Sequence, residues 1–356
     1  MKRNGFTLIE LLAVIVILAI IALIATPIIL NIVNDAKRES QERSVELYAS
    51  AIKNGIVAHQ LIEGKKVEDG RYTSETLPFD VENDGNVECT IIELYEDGGV
   101  YIEGCTVNKI AVDYIYGKKQ VPFSTDDWST IAATIKAGNL RKYNVGDTRE
   151  ISLTGFTNTE TDSNGLYTIR IVNTSTPSEC SNDGFSQTAC GFVIEFEDII
   201  ATHEMNETNT SVGGYPASSM YTYIQNDIYN ALPEKLKDVI ISTYVVSGHG
   251  TTSGEKNFIT EQDRLYLLSG KEVYGSDSKD TSSDLTRQLE YYSNIRVTTN
   301  SYLGAIKKYN GTDAYWWLRS AHDGTNYSFR YVFGSGYLAS HPAINSNGVS
   351  VAFRIG

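Results

Sequence analysis

From Phe6 to Val33 the chain is apolar except for Thr7, Glu10, Thr26 and Asn31, and between Arg3 and Asp35 the only charge is the carboxylate of Glu10. At 1.5 Å per residue, a helix over this run is about 40 Å long, more than the ~30 Å hydrocarbon thickness of a bilayer. Lys2 and Arg3 precede it, which keeps the N-terminus cytoplasmic and sends the rest of the chain outward. A secretory signal has an apolar core of about 7–15 residues followed by a small-x-small cleavage site; this run is too long and lacks that site near its far end. A plain anchor accounts for the length but not for a lone carboxylate, which is costly in a membrane.

The stretch "NGFTLIELLAVIVILAIIALIATP" resembles the N-terminal signature of type IV prepilins. The resemblance implies that 1–5 is a leader peptide cut between Gly5 and Phe6 by a prepilin peptidase/methyltransferase, with N-methylation of Phe6. It also implies that Glu10, fifth in the mature chain, and Pro27 serve assembly. The new amine at Phe6 then gives Glu10 of a neighbouring subunit a partner, where an unpaired charge in a low dielectric is unfavourable. The resemblance further implies that residues 6–60 are a pilin stalk, with 6–33 as its transmembrane part. Pro27 lacks the amide that bonds to Leu23, so a kink or local melting is expected there. Beyond it, Val45, Tyr48, Ala51, Ile52 and Ile56 form a stripe that docks on a globular head, and helix from Phe6 to about His59 measures ~80 Å.

The whole chain is acidic, with net charge −14, and rich in Tyr (23) and Gly (29), which argues against nucleic acid or anionic lipid as partners and for a β-rich extracellular surface. The four cysteines form two close pairs, Cys89/Cys105 and Cys180/Cys190, neither with CxxC spacing. In an exported chain these are two local disulfides; in a reducing compartment they are free thiols.

Residues 61–122 read as a small β-rich pilin head, with a hairpin that breaks at Asp97-Gly98-Gly99 and carries Cys89 and Cys105 on its two arms. Residues 126–356 form a second module. "DDWSTIAATIKAGNLRKYNVGDTREISLTG" predicts a short helix and a strand, and "GLYTIRIVNTS", "GFVIEFEDII" and "DRLYLLSGKEVYG" predict further strands. "SSMYTYIQNDIYNALPEKLKDVII" predicts two helices, the first with Met220, Tyr223, Ile224 and Ile228 on one face and the second starting at Pro233. Mixed elements without βαβ alternation give an α+β class. The pattern "AYWWLRSA" with the terminal "NGVSVAFRIG" is similar to bacterial surface domains of uncharacterised function and to C-type-lectin-like domains. That resemblance implies a C-type-lectin-like α+β domain, and a diversified patch over 322–347.

Chemistry is hard to find. "HEMNE" has Glu207 where a zincin needs its second His, and no P-loop, G-x-S-x-G or dinucleotide glycine pattern occurs. The copper thiols of formylglycine-generating enzymes and the calcium ligands of sugar-binding lectins have no counterpart. "EVYGSDSKDTSSD" reads as solvated loop rather than calcium cage. No enzyme, cofactor or metal is expected. The closing Tyr/Ser/Gly/Asn-rich stretch instead has the make-up of a binding surface, with His322, Tyr327, Arg330, Tyr331, Phe333, Tyr337 and His341 as ligand-binding candidates, of which His322, Arg330, Tyr331, Tyr337 and His341 are expected to be exposed, and Phe329, Val332, Trp316, Trp317 and Leu318 as core. The expectation is a minor or tip type IV pilin that passes once through the membrane before assembly and then lies in an extracellular pilus. Its partners are other pilins, the peptidase, the inner-membrane assembly platform and an unknown protein or glycan ligand. The alternative is a pseudopilin of a type II secretion or DNA-uptake system.

Overall fold

The computed structural model describes residues 8–61, 64–83, 86–95, 97–156, 165–248, 258–276 and 284–356. Gly5 and Phe6 lie outside these residues, as do the side chains of Glu10 and Pro27. The chain divides into two compact units, Met1–Gln120 and Val121–Gly356.

The first unit is one long helix with a small sheet. The helix runs from Leu8 to Leu61 without a break, so the backbone is not melted at position 27. Its described apolar side chains from Leu12 to Val33 are exposed. The expected membrane span over 6–33 is not supported: among the described residues no helix is long and apolar enough to cross a membrane. The side chains at 9–11, 20–22, 24–25, 27–28 and 31, which complete that run, are not among those described. Farther along, Val45, Tyr48, Ala49, Ile52 and Ile56 are buried, and their three- and four-residue spacing places them on one face. Ala51, expected in this stripe, is half-buried at its margin, and Ala49 occupies the centre.

That face packs on four antiparallel strands in sequence order, Gly70–Tyr72, Val87–Leu94, Val100–Val107 and Ile110–Val112. The turn between the second and third falls at the expected glycines: the Gly98 amide donates to the Tyr95 carbonyl at 2.8 Å, and Gly98 has φ +80°, a conformation glycine adopts without cost. Asn108 and Lys109, both at positive φ, make the next two-residue turn, the geometry that matches the twist of a hairpin. Cys89 and Cys105 stand directly opposite each other and are bonded, Cα–Cα 4.0 Å.

The second unit is α+β. A helix, Trp128–Lys136, precedes a six-stranded sheet ordered Tyr266–Leu267, Val351–Ile355, Val193–Phe196, Leu166–Asn173 and Thr148–Ser152, with Ile240–Ile241 also paired to Val351–Ile355. A five-stranded sheet follows the order Leu338–Pro342, Ser328–Val332, Trp316–Ala321, Ser346–Val349 and Ala201–Glu204. All its pairs are antiparallel except Trp316–Ala321 with Ser346–Val349. Strand alternation sends successive side chains to opposite faces. Trp317, Phe329 and Tyr331 enter one core, and Trp316, Leu318 and Val332 enter another. Strands Trp316–Ala321 and Ser328–Val332 are therefore buried on both faces, and Trp316, Trp317, Leu318, Phe329 and Val332 are core as expected.

Two local expectations are corrected. "DRLYLLSGKEVYG" is strand only at Asp263, where Phe258–Asp263 ends, and at Tyr266–Leu267; Gly270–Tyr274 is helix. The cause is a capping box: the Ser269 side chain accepts from the Glu272 amide, and the Glu272 carboxylate accepts from the Ser269 amide. In "SSMYTYIQNDIYNALPEKLKDVII" the helix from Ser219 widens to a π-turn over Ile224–Ile228, and Pro233 is the N-cap of Glu234–Lys237 rather than its first residue. Met220, Ile224 and Ile228 are buried, whereas Tyr223 is only half-buried.

Candidate functional site

The strand "WWLRSA" sets the geometry of the second unit. Arg319 is fully buried and forms a two-pronged pair with Glu272, Nη1 to Oε2 at 2.6 Å and Nη2 to Oε1 at 2.7 Å. Its remaining donors go to the carbonyls of Leu267 (2.9 Å) and Val246 (3.3 Å) and to the Thr188 hydroxyl (3.3 Å). Thr188 and Thr286 also donate to Glu272. Burial works against the Glu272 charge, but Arg319 outweighs it and holds the carboxyl below its ordinary range. Asp284 is buried nearby, accepting from Ser320 Oγ at 2.7 Å and the Gly248 amide at 2.9 Å; burial raises its pKa. The two ends of the acidic stretch read as solvated loop, Glu272 and Asp284, are thus core groups, Glu272 paired with Arg319 and Asp284 held by Ser320 and the Gly248 amide.

A second buried cluster centres on Glu195. Arg170, Lys307 (3.2 Å) and the Tyr292 hydroxyl (2.9 Å) surround it. Lys307 also donates to the carbonyls of Phe196 and Glu197. Most donors and acceptors of both clusters are paired, the Arg170 Nε being buried without a partner, and pairing is the condition under which buried charges are tolerated.

The exposed chemistry lies at one end of the five-stranded sheet. Tyr331 stacks on His341, ring centroids 5.0 Å apart, and meets Tyr315 edge-on at 5.7 Å. Tyr315 in turn lies 4.5 Å from Phe333. Tyr315 and Phe333 are about 40% exposed, at 41% and 40%. Asn347 Nδ2 lies 3.0 Å from His341 Nδ1, which orients the imidazole. Across the hairpin loop Tyr337, 52% exposed, packs edge-on against Tyr302. The Tyr274 hydroxyl donates to the Gly336 carbonyl at 2.6 Å, and a Cβ on Gly336 would fall 2.2 Å from the Tyr302 carbonyl, so this loop sits tightly on the body. The result is a held, largely uncharged aromatic rim.

The sequence candidates separate accordingly. Tyr331, Phe333 and His341 come together, and Tyr337 flanks them. His322 and Tyr327 lie farther along the strands, five residues from Tyr331's partner Trp317 and four from Tyr331 itself, or about 13–17 Å at strand rise. His322 there accepts from the Gly324 amide at 3.0 Å and shapes a turn; burial, then Arg330, lower its pKa, with Asp323 opposing. Arg330 and Tyr331, expected as exposed, are buried at 6% and 7%, because strand Ser328–Val332 is covered on both faces. Tyr315 was missed. It precedes Trp316, whose partner is Val332, so it falls opposite Phe333; that register is invisible in sequence. Both cysteine pairs are disulfides, Cys180–Cys190 with Cα–Cα 5.9 Å.

Comparison with known proteins bears on the two ends of the chain. Residues 192–356 match a Domain of unknown function (DUF6273). The match leaves out 126–191 of the expected module, although strands Thr148–Ser152 and Leu166–Asn173 complete the same sheet. No curated protein and no solved structure matches the chain. Residues 1–26 match the prokaryotic N-terminal methylation motif. The chain therefore has a type IV pilin-like N-terminus, of the pilin or pseudopilin kind, which implies a prepilin peptidase and pilus assembly machinery as partners in general and the cell surface as destination.

Proposed function

We propose that this chain is a minor subunit of a type IV pilus, cut after Gly5, methylated at Phe6 and displaying its second unit as a ligand-binding module. The observation that carries the reading is the methylation motif at residues 1–26 joined to a helix of 54 residues whose distal part packs on a four-stranded sheet. A second unit of this size suits a sparse subunit better than the bulk of a filament. Its C-type-lectin-like character rests on the "WWLRS" and "GVSVAFRIG" resemblance. Binding rather than catalysis is the role assigned to it: the charged clusters are buried in the core, while Tyr315, Phe333 and Tyr337 offer rigid aromatic area at small entropic cost.

The test is mass spectrometry of the chain from sheared surface filaments. An N-terminal methyl-Phe6 is expected. A chain still beginning at Met1, or absent from every filament preparation, would overturn the reading.

A further inference from the structure

In the second unit Arg170, Lys307 and Arg319 each have a carboxylate within 3.2 Å. Arg354, on the closing strand Val351–Ile355, has none. Among the described residues its guanidinium makes a single hydrogen bond, from Nη1 to the neutral Gln187 Oε1 at 3.1 Å. Its Nε is buried without a partner. Burial lowers its pKa, opposed by Tyr266 and by no acid. A guanidinium keeps its proton at any working pH, so a half-buried positive charge is left uncompensated, which is costly.

The place beside this cation is open and framed. Gly191 has φ +75°, and a Cβ there would stand 3.4 Å from Arg354 Nη2 and 3.6 Å from Thr176 Oγ1. A guanidinium donor and a hydroxyl thus converge on one small space. Thr176 is exposed, and Gly191 and Arg354 are half-buried, so the space is open to solvent. Its floor is fixed. The Gly191 amide donates to the Ser175 carbonyl at 2.7 Å, and Asn173 Nδ2 donates to the carbonyls of Ser175 at 2.9 Å and Gly191 at 2.8 Å. The disulfide Cys180–Cys190 closes the loop one residue before Gly191. Gln187 Oε1 also accepts from the Tyr244 amide at 3.1 Å, which steadies its hold on the guanidinium. Glu179 of the same loop does not fill the role, being paired with Arg287 at 3.3 Å. Donors held in place beforehand lose little entropy when a ligand arrives.

We infer that Arg354, Thr176 and the bare Gly191 form a binding site for a carboxylate group of an external ligand, with Arg354 Nη2 and the Thr176 hydroxyl as its donors. One guanidinium supplies one full charge, which matches a monoanion. A chain of net charge −14 repels a dianion such as phosphate more strongly. The site belongs to the six-stranded sheet and the aromatic rim to the five-stranded one, so this is a separate contact that does not depend on the pilus reading.

The test is thermal unfolding of the full chain in detergent with added glucuronate, acetate or inorganic phosphate, ionic strength being held constant with chloride. A ligand that binds only the folded state raises its midpoint saturably. Glucuronate and acetate are expected to do so for the wild type and not for Arg354→Met. Thr176→Val, at an exposed position, is expected to weaken the response several-fold and to leave the unliganded midpoint unchanged. Without ligand, Arg354→Met is expected to be at least as stable as the wild type, whereas Arg170→Met loses stability. Equal responses of the wild type and Arg354→Met would overturn the site. So would an unliganded Arg354→Met destabilised as far as Arg170→Met, since the guanidinium would then already be compensated. A response to phosphate without one to glucuronate or acetate would overturn the assignment to a carboxylate.

Discussion

Arg319 and Glu272 form a two-pronged ion pair with neither side chain reaching solvent, 47 residues apart in the chain. The pair joins the "WWLRS" strand to the capping box of the helix Gly270–Tyr274, because Glu272 serves both. Removing one member leaves the other charged, buried and unpaired. Arg319→Leu or Glu272→Leu alone is expected to cost about 3–5 kcal/mol in denaturant unfolding, and the double replacement less than the sum. Additive losses would mean that the two groups are not coupled.

Asp263 sets a pH dependence. Burial raises its carboxyl to about 6, against donations from the Thr260 and Tyr221 hydroxyls and the field of Arg319. The folded state then holds the proton more tightly than the unfolded chain. Its contribution to stability is fully present below the unfolded value, near 4, and is lost as pH rises through about 6. Asp263→Asn is expected to flatten this fall and to be the more stable protein at pH 7.5, by up to about 3 kcal/mol. Unfolding midpoints from pH 4 to 8 for both chains check it.

At the aromatic rim, exposure separates binding from folding. Phe333→Ala and Tyr315→Ala are expected to weaken attachment to a host or glycan surface at least several-fold, with a melting temperature within a few degrees of wild type. Tyr331→Ala, which empties buried volume between Trp317 and His341, is expected to lower both. Thermal scans run beside attachment assays distinguish the two outcomes.

The disulfides close loops of 16 and 10 residues in sequence separation. Loop-closure entropy assigns each about 3 kcal/mol. Loss of Cys180–Cys190 by paired Ala replacement is expected to reach farther, because Thr188 inside that loop donates to Glu272. Hydrogen exchange at the Ser269 and Glu272 amides should then rise, and should not rise when Cys89 and Cys105 are replaced.

Glu10→Ala is expected to leave cleavage after Gly5 intact and to reduce the chain's recovery in filaments. Processing read by mass spectrometry and recovery read by blotting test the two halves separately. Wild-type recovery would remove the pairing of Glu10 with a neighbour's amine.

What could be read from residue order alone was local. The methylation motif, the turn at Gly98 and the helical stripe each depend on residues a few positions apart, and the 3.6 and 2.0 periodicities report them directly. The disulfide pairs were legible because each pair is close in sequence once export is granted. The capping box Ser269-x-x-Glu272 was equally local and was overridden by the apolar "LYLL" before it. The partner of Arg319 and the strand register that brings Tyr315 beside Phe333 were decided by the fold, since each joins segments whose separation carries no periodic signal. The burial of Arg330 and Tyr331 belongs with them: a strand of alternating aromatics looks half-exposed until a second layer covers its other face.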